Sequence, residues 1–436
     1  MAKGYRAYFP DQDFLLPPSP REWLPEDHLA YFVSDVVDQL DLTAMHAVYG
    51  EEQRGQPPYD PRMMTKLLVY GYCVGVFSAR KIQQRVREDI GFRVLAAGNE
   101  PDFRTISDFR KIHLQTLQGL FEEVLKITLE TGTMKLGRVA LDGTKIKANA
   151  SKHKAMSYER MKQQEKVIRE QVKELLAQAE AIDAAEDASH GKDRRGDELP
   201  EELRRRESRL ERIREAKKAV QQRAREKAEG EGKAGEGTQP QGKDQYNFTD
   251  PDSRIMPSSE GFVQAYNAQA VVEPNFQLIV GQAVTQATND KKQVQPMVEA
   301  TEQQSGQRPE ELVADSGYCS EKNLEYLDAA GELDKPIAAY IATGRHKHGQ
   351  EVEACPRGRL PKGANRVERM RRKLKTKAGA AIYATRKSIV EPVFGQIKEA
   401  RGFRRFSLRG LVKVQAEWAF VCLTHNILKL HRLCYQ

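Results

Sequence analysis

The chain has 436 residues, 39% hydrophobic and 30% charged, with a formal net charge of +8. That length exceeds one ordinary core and predicts two or three domains. Five scattered cysteines, Cys73, Cys319, Cys355, Cys422 and Cys434, contain no CxxC pair, which argues against a zinc ribbon or disulfide framework and for a reducing compartment.

Residues 1–58 open with a Pro-rich lead and pass into "PEDHLAYFVSDVVDQLDLTAMHAVY", where apolar residues recur at helical spacing. Pro61 begins a second helical stretch, Ser78 is a candidate N-cap for a helix from Ala79, and a further helix is predicted from Arg104 to Thr131, with capping types Thr105 and Ser107 near its start. "GRVALDGTKIKANAS" changes to β-type residues and reads as a strand continuing into a second, with Asp142 at the centre of the pair. From 152 to 245 the chain is polar and helix-favouring. Met161, Ile168, Leu175 and Ile182 stand seven apart, with Val172 and Ala179 between them, a heptad seam. "DAAEDASHGKDRRGDELP" interrupts it, Leu203, Leu210, Ile213 and Val220 mark a second amphipathic helix, and "AEGEGKAGEGTQPQGKDQ" reads as a linker. An antiparallel helical hairpin projecting from the body is expected.

Strands return in "GFVQAYNAQAVVE" and "FQLIVGQAVTQ", a hairpin through Pro274 and Asn275. A helix from about Lys291 to Gln304, a strand in "ELVADSGY", a helix from Ser320 to Ala330 and a strand in "KPIAAYIA" follow. The helix-length stretch Tyr383–Phe406 and a final apolar helix complete the chain. With the insertion set aside, the order β-β-β-α-β-α-β-α predicts an α/β mixed sheet. His346, His348 and Cys355 lack a fourth ligand at normal spacing and read as polar loop residues. No apolar run approaches the ~18 residues of a membrane span, and the N-terminus lacks the apolar core of a signal peptide, so a cytoplasmic protein is expected.

The charge is unevenly placed. From Pro356 to Lys413, 18 Lys and Arg face only Glu368, Glu391 and Glu399, a local +15 that leaves about −7 for the remainder. Such concentration suits a polyanion. Asp142 follows the apolar run "GRVAL", on or just after the first strand, and Asp315 follows "ELVA" at the end of the fourth; α/β sheets gather ligands at the carboxyl ends of neighbouring strands. Glu391 lies on a helix that can cross that edge. Three convergent carboxylates repel unless a cation lies between them, and hard oxygen ligands beside phosphates favour Mg2+ or Mn2+.

"ALDGTKIKANAS", "VADSGY" and "YATRKSIVEPVFGQIKEARGFRRF" resemble the three catalytic blocks of bacterial insertion-sequence DDE transposases, of the IS4/IS5-like superfamily and its IS1182 group. "TDPDSRIM" followed by "GFVQAYNAQAVV" and the stretch from Tyr59 to Lys111 are also similar to that group. The resemblance implies an RNase H-like catalytic domain (135–151 and 246–436) with Asp142, Asp315 and Glu391 holding metal, two ions in the general scheme. It implies a helical N-terminal domain (1–134) for DNA-end binding or dimerisation, while 152–245 stands as a coiled-coil-like hairpin insertion and linker. The partners it implies are double-stranded DNA, as terminal inverted repeats and target, and a second copy of the chain, on the nucleoid when DNA-bound.

In the third block the superfamily places Tyr, Arg, Glu and Lys at set spacings. Lys398 matches, Lys387 stands where the Arg is expected, and Arg386 and Tyr383 are each displaced by one. Lys387, Glu391 and Lys398, four and seven apart, would share a helix face. Which of Arg386 and Lys387 faces the site stays open. Tyr383, Arg386, Lys387, Lys398, Arg401, Arg404, Arg405 and Arg409 are the candidate DNA-binding residues. A nuclease of the same fold and a non-catalytic DNA-binding protein are the alternatives.

Overall fold

The computed structural model describes residue 19 and residues 22–49, 57–130, 136–190, 201–230, 239–258, 261–329, 335–344, 355, 358, 361 and 363–435. His346, His348, the tract 191–200 between the hairpin helices and residues 231–238 of the expected linker lie outside them. Among the described residues, no helix is long and apolar enough to cross a membrane.

The chain begins with α1 (Leu29–Asp38), α2 (Thr43–Ala47), α3 (Pro61–Cys73), α4 (Ala79–Glu88), α5 (Ile90–Ala96), α6 (Phe103–Ile112) and α7 (Leu114–Glu130). Pro61 opens α3, where a missing N–H costs nothing, and the Asp60 carboxylate accepts from the N–H groups of Arg62 and Met63. Ser78 holds the N-cap position of α4 without a side-chain cap bond. The single helix expected from Arg104 is two. It breaks at His113, whose ring is buried against Phe109 and lies 2.9 Å from the Tyr49 hydroxyl, and Asp102 rather than Thr105 or Ser107 caps α6.

Next come β1 (Arg138–Lys147), β2 (Ala155–Ser157), α8 (Tyr158–His190), α9 (Glu201–Gly230), β3 (Gln245–Asn247), β4 (Arg254–Ser258), β5 (Gly261–Val272) and β6 (Ile279–Thr285). They are followed by α10 (Val294–Ser305), β7 (Glu311–Ala314), α11 (Glu321–Asp328), β8 (Ala338–Ile341), α12 (Arg366–Lys375), α13 (Lys377–Ala384), α14 (Arg386–Gly395) and α15 (Leu411–Tyr435). "GRVALDGTKIKANAS" forms one strand rather than two, and β4 is an addition to the expected set.

The main sheet is mixed. β1 lies at its centre, antiparallel to β5 and parallel to β7, and β7 is parallel to β8. β5 is long enough to pair with β1 along one edge and with β4 and then β6 along the other. Val139, Ala140 and Leu141 of β1 are fully buried, as a strand covered on both faces requires. One hydrophobic cluster joins the sheet, α15 and the N-terminal helices.

α8 and α9 run antiparallel. The Gln221 amide donates to the Tyr158 hydroxyl at 2.8 Å, and Glu165 accepts from Lys217 at 2.6 Å and Arg214 at 3.4 Å. Met161 and Ile168 of the heptad series pack against Leu210, Ile213 and Val220 in a cluster separate from the main core. The ends of this insertion meet where β2 pairs with β3. α8 continues to His190, past the point where the sequence suggested an interruption.

Two buried polar knots fix α15. Glu417 accepts from the Ser407 N–H (2.9 and 3.1 Å), the Leu408 N–H (3.0 Å) and the Tyr72 hydroxyl (3.2 Å), and Arg110 donates to that hydroxyl at 3.1 Å. At the β5–β6 turn, Asn426 exchanges hydrogen bonds with the Ile279 backbone, and His425 Nε2 lies 3.0 Å from the carbonyl oxygen of Gln277. Burial, and then the Arg401 charge, lowers the His425 imidazole to about 3. The folded state thus holds this ring neutral. Its stabilisation is complete above the unfolded value near 6.5 and is lost as pH falls toward 3, by about 1.4 kcal/mol per pH unit. Urea midpoints of the native chain should therefore fall more steeply between pH 6.5 and 4.5 than those of His425→Gln. Parallel pH dependences would contradict this.

Candidate active site

The register of β1 places the acids. Leu141 is opposite Ala314 in the parallel pair, so Asp142 and Asp315 are the next residues on adjacent strands, side by side where the pairing ends. Successive β1 residues alternate between faces. Asp142 and Thr144 turn toward α14, while Gly143 and Lys145 turn to the opposite face. A Cβ on Gly143 would lie 2.2 Å from Gln269 Nε2, so only glycine fits there.

Asp142 Oδ1 accepts from the Gly143 N–H at 2.8 Å, and its Oδ2 accepts from Arg386 at 2.9 Å. The same guanidinium reaches Glu391 Oε1 at 3.4 Å. Arg386 is 11% exposed and Glu391 54%, so a nearly buried cation joins an inner acid to an outer one. Burial pushes the Asp142 carboxyl up to about 6, opposed by Arg386 and the Gly143 N–H and assisted by Asp315. Asp315 accepts from the Gly317 N–H at 2.8 Å. Lys398 Nζ donates to Thr144 Oγ1 at 3.1 Å. Tyr383 is half-buried beside Arg386, and burial raises its phenol.

Arg386 faces this cluster and Lys387 is exposed outside it, which decides between the two. Lys387 and Glu391 stand four apart on one helix, but the expected face does not run on regularly to Lys398, because Tyr383–Phe406 is not one helix. α13 stops at Ala384, α14 starts at Arg386, and Gln396–Ala400 winds into a π turn. Pro392 inside α14 has no N–H for the Ser388 carbonyl, and that carbonyl accepts from Gln277 Nε2 at 3.0 Å instead.

Arg401 is a correction. It was expected on a DNA-facing track, but its guanidinium is buried and donates to Thr424 Oγ1 at 2.8 Å and to the Val421 carbonyl at 3.3 Å. It anchors the turn to α15. Arg404, Arg405 and Arg409 are exposed. Arg404 pairs with Glu399, and Arg409 donates to the Asn149 carbonyl at 2.9 Å.

The sequence reading missed Asp290, Lys145, Asn267 and Gln269. Asp290 accepts from Asn267 and Gln269 side chains at 2.7 and 2.8 Å, and Lys145 Nζ is 3.7 Å away. The available signal was "YNAQAVV", where two amides at alternate positions interrupt an otherwise apolar strand. Both are buried, and buried amides need partners.

Among the described residues, no three His, Cys, Asp or Glu side chains already converge as a metal site. The donor set nevertheless suits a hard cation. Asp142 and Asp315 present carboxylates side by side, and Asp142 is buried far enough to hold its charge poorly without a counterion. Glu391 stands apart from them, linked to Asp142 through Arg386.

Comparison with known families finds two matches. Residues 18–112 match the model of a transposase domain (DUF772), and residues 237–427 match that of a transposase DDE domain. The second span includes Asp315 and Glu391, while Asp142 lies upstream of it, beyond the insertion. No curated protein and no solved structure matches the chain significantly.

The geometry makes Arg386 and Lys387 unequal. Arg386→Ala should cost on the order of 1–3 kcal/mol at pH 8, where Asp142 is ionised and loses its partner, and distinctly less at pH 5, where that carboxyl is largely protonated. Lys387→Ala should stay within about 0.5 kcal/mol at both. Chemical denaturation of the two variants checks this, and equal losses would contradict the assignment.

Proposed function

The chain belongs to the DDE transposases of insertion sequences, in the domain arrangement of the IS1182 group, and from that premise we propose that Asp142, Asp315 and Glu391 are the metal-binding carboxylates of an RNase H-like catalytic domain that cuts transposon ends and joins them to target DNA. The observation that carries the proposal is the β1–β7 register, which sets Asp142 beside Asp315, with Glu391 on α14 linked to Asp142 through Arg386. The sheet order supports the fold assignment: three antiparallel strands, β6, β5 and β1, precede the parallel β7 and β8. The region 135–151 with 246–436 is proposed as the catalytic domain, residues 1–134 as an end-binding or dimerising domain, and 152–245 as an insertion that serves assembly. Pairing of two DNA ends favours a homodimer.

Bound Mg2+ or Mn2+, as two ions, would supply an activated attacking oxygen and take up charge on the leaving one. The protein's own residues set the geometry. Asp142 and Asp315 are fixed by strand backbone and by the N–H bonds of Gly143 and Gly317, so neither needs to reorganise. Arg386 and Lys398 can turn from Asp142 and Thr144 to non-bridging phosphate oxygens, with Tyr383 packed beside them. In the first reaction a water oxygen bonds to phosphorus and the bond to the 3′ oxygen breaks, leaving a 3′-hydroxyl. In the second, the oxygen of that hydroxyl bonds to a target phosphorus as its proton departs, and the target's own bond from phosphorus to the 3′ oxygen breaks, releasing a target 3′-hydroxyl, so no protein nucleophile is consumed. Exposed Lys387, Arg404, Arg405 and Arg409 contact phosphates rather than base edges, which makes binding weaken steeply with salt.

Purified protein, incubated with Mg2+, DNA ends from its own element and a target plasmid, should yield joined products. Asp142→Ala, Asp315→Ala and Glu391→Ala should each lower cleavage by about 10^3-fold or more while keeping DNA affinity within a few-fold. A variant that cleaves at near native rate contradicts the triad. Nicking without joining would instead support a nuclease.

A further inference from the structure

On the face of β1 opposite α14, a polar cluster surrounds Asp290, which lies between β6 and α10. Asp290 Oδ1 accepts from Asn267 Nδ2 and Gln269 Nε2. Gln269 is itself held at both ends: its side-chain oxygen accepts from the Tyr318 hydroxyl, and its backbone carbonyl accepts from Trp418 Nε1 at 3.0 Å. Asn267, Gln269, Tyr318 and Trp418 are all buried. Neutral amides therefore fix the Asp290 carboxylate without cancelling its charge. Among the described residues its cationic contact is Lys145, at 3.7 Å from Oδ1.

The cluster borders the acids of the proposed metal site. A Cβ on Gly317 would lie 3.0 Å from Asp315 Oδ1 and 3.6 Å from Asp290 Oδ2. Lys145, three residues beyond Asp142 on the same strand, is within electrostatic reach of Asp290, Asp142 and Asp315 together. A compact ammonium on a flexible stem whose charge is felt by both carboxylates is a built-in competitor for any divalent cation they would bind. Asp290 gives it another place to rest.

Resting on the metal-site reading above, we propose that Asp290 is a positioning residue: it draws the Lys145 ammonium away from Asp142 and Asp315 and so keeps those carboxylates open to a divalent cation. The rigid amide cradle explains why the acid is prepositioned, and the opposite face explains how it can hold the lysine without itself entering the site.

The test is the Mn2+ affinity of the full-length chain without DNA, measured by paramagnetic resonance of the free ion. Asp290→Asn, equal in size, should weaken binding on the order of tenfold, and adding Lys145→Met should restore affinity to within about threefold of native. A purely structural role for Asp290 would show no rescue. Unchanged affinity in Asp290→Asn, or a double variant as weak as the single one, would overturn the proposal. Should Asp290→Asn fail to fold by circular dichroism, Lys145→Met alone decides: affinity equal to or tighter than native supports it, and weaker binding overturns it. A native chain that binds no Mn2+, or binds it no better than Asp142→Ala, overturns the metal-site reading and this inference with it.

Discussion

β1 is hydrogen-bonded along both edges, to β5 on one side and β7 on the other, and a strand so held cannot slip or turn without breaking two ladders. Because side chains alternate strictly along it, a slip of one residue would exchange its faces. That constraint sorts the charges of the centre. Asp142 and Thr144 go to the α14 face and meet Arg386 and Lys398, while Gly143 and Lys145 go to the other and meet Gln269 and Asp290. Four successive residues of strand, 142–145, thereby separate two cations of different use. Arg386 lies across the mouth of the site between Asp142 and Glu391, and Lys145 is held behind it.

The second determinant is the irregularity of the third block. The break at Thr385 places Arg386 at the first turn of α14, from which it reaches both Asp142 and Glu391. The π turn then carries the chain into the main core. There Arg401 is spent on α15, Phe403 and Phe406 are buried, and Glu417 gathers the N–H groups of Ser407 and Leu408. Tyr72 and Arg110 of the N-terminal helices join that knot. The segment bearing Glu391 is thus tied to the sheet, the last helix and the N-terminal helices at once.

Much of this was legible in the sequence. The apolar run before Asp315 marked a strand end and the run before Asp142 marked a strand, which continues past that residue to Lys147, and the heptad spacing through Met161 and Ile168 marked a helix whose seam packs against Leu210, Ile213 and Val220. What escaped has physical reasons. The helix interruption at His113 comes with packing against Tyr49 and Phe109, to which periodicity is blind, and nothing in the residue pattern marks the one at Thr385. Arg401 looked like its basic neighbours because burial of an arginine depends on where the turn sends it. Asp290 sits in a polar stretch, "TQATND", without local pattern, and only its amide partners on β5, 21 and 23 residues away, give it a role. Lys145 shared a strand with Asp142, but the opposite face is evident only once the strand is known to be single and continuous.

The most direct test of the central claim is an anomalous-scattering map of the protein crystallised with Mn2+ and a DNA end. The account predicts manganese density between Asp142 and Asp315, with Glu391 turned toward it and the Arg386 guanidinium moved onto a phosphate. Density elsewhere, with Arg386 still bridging Asp142 and Glu391 over bound DNA, would contradict it.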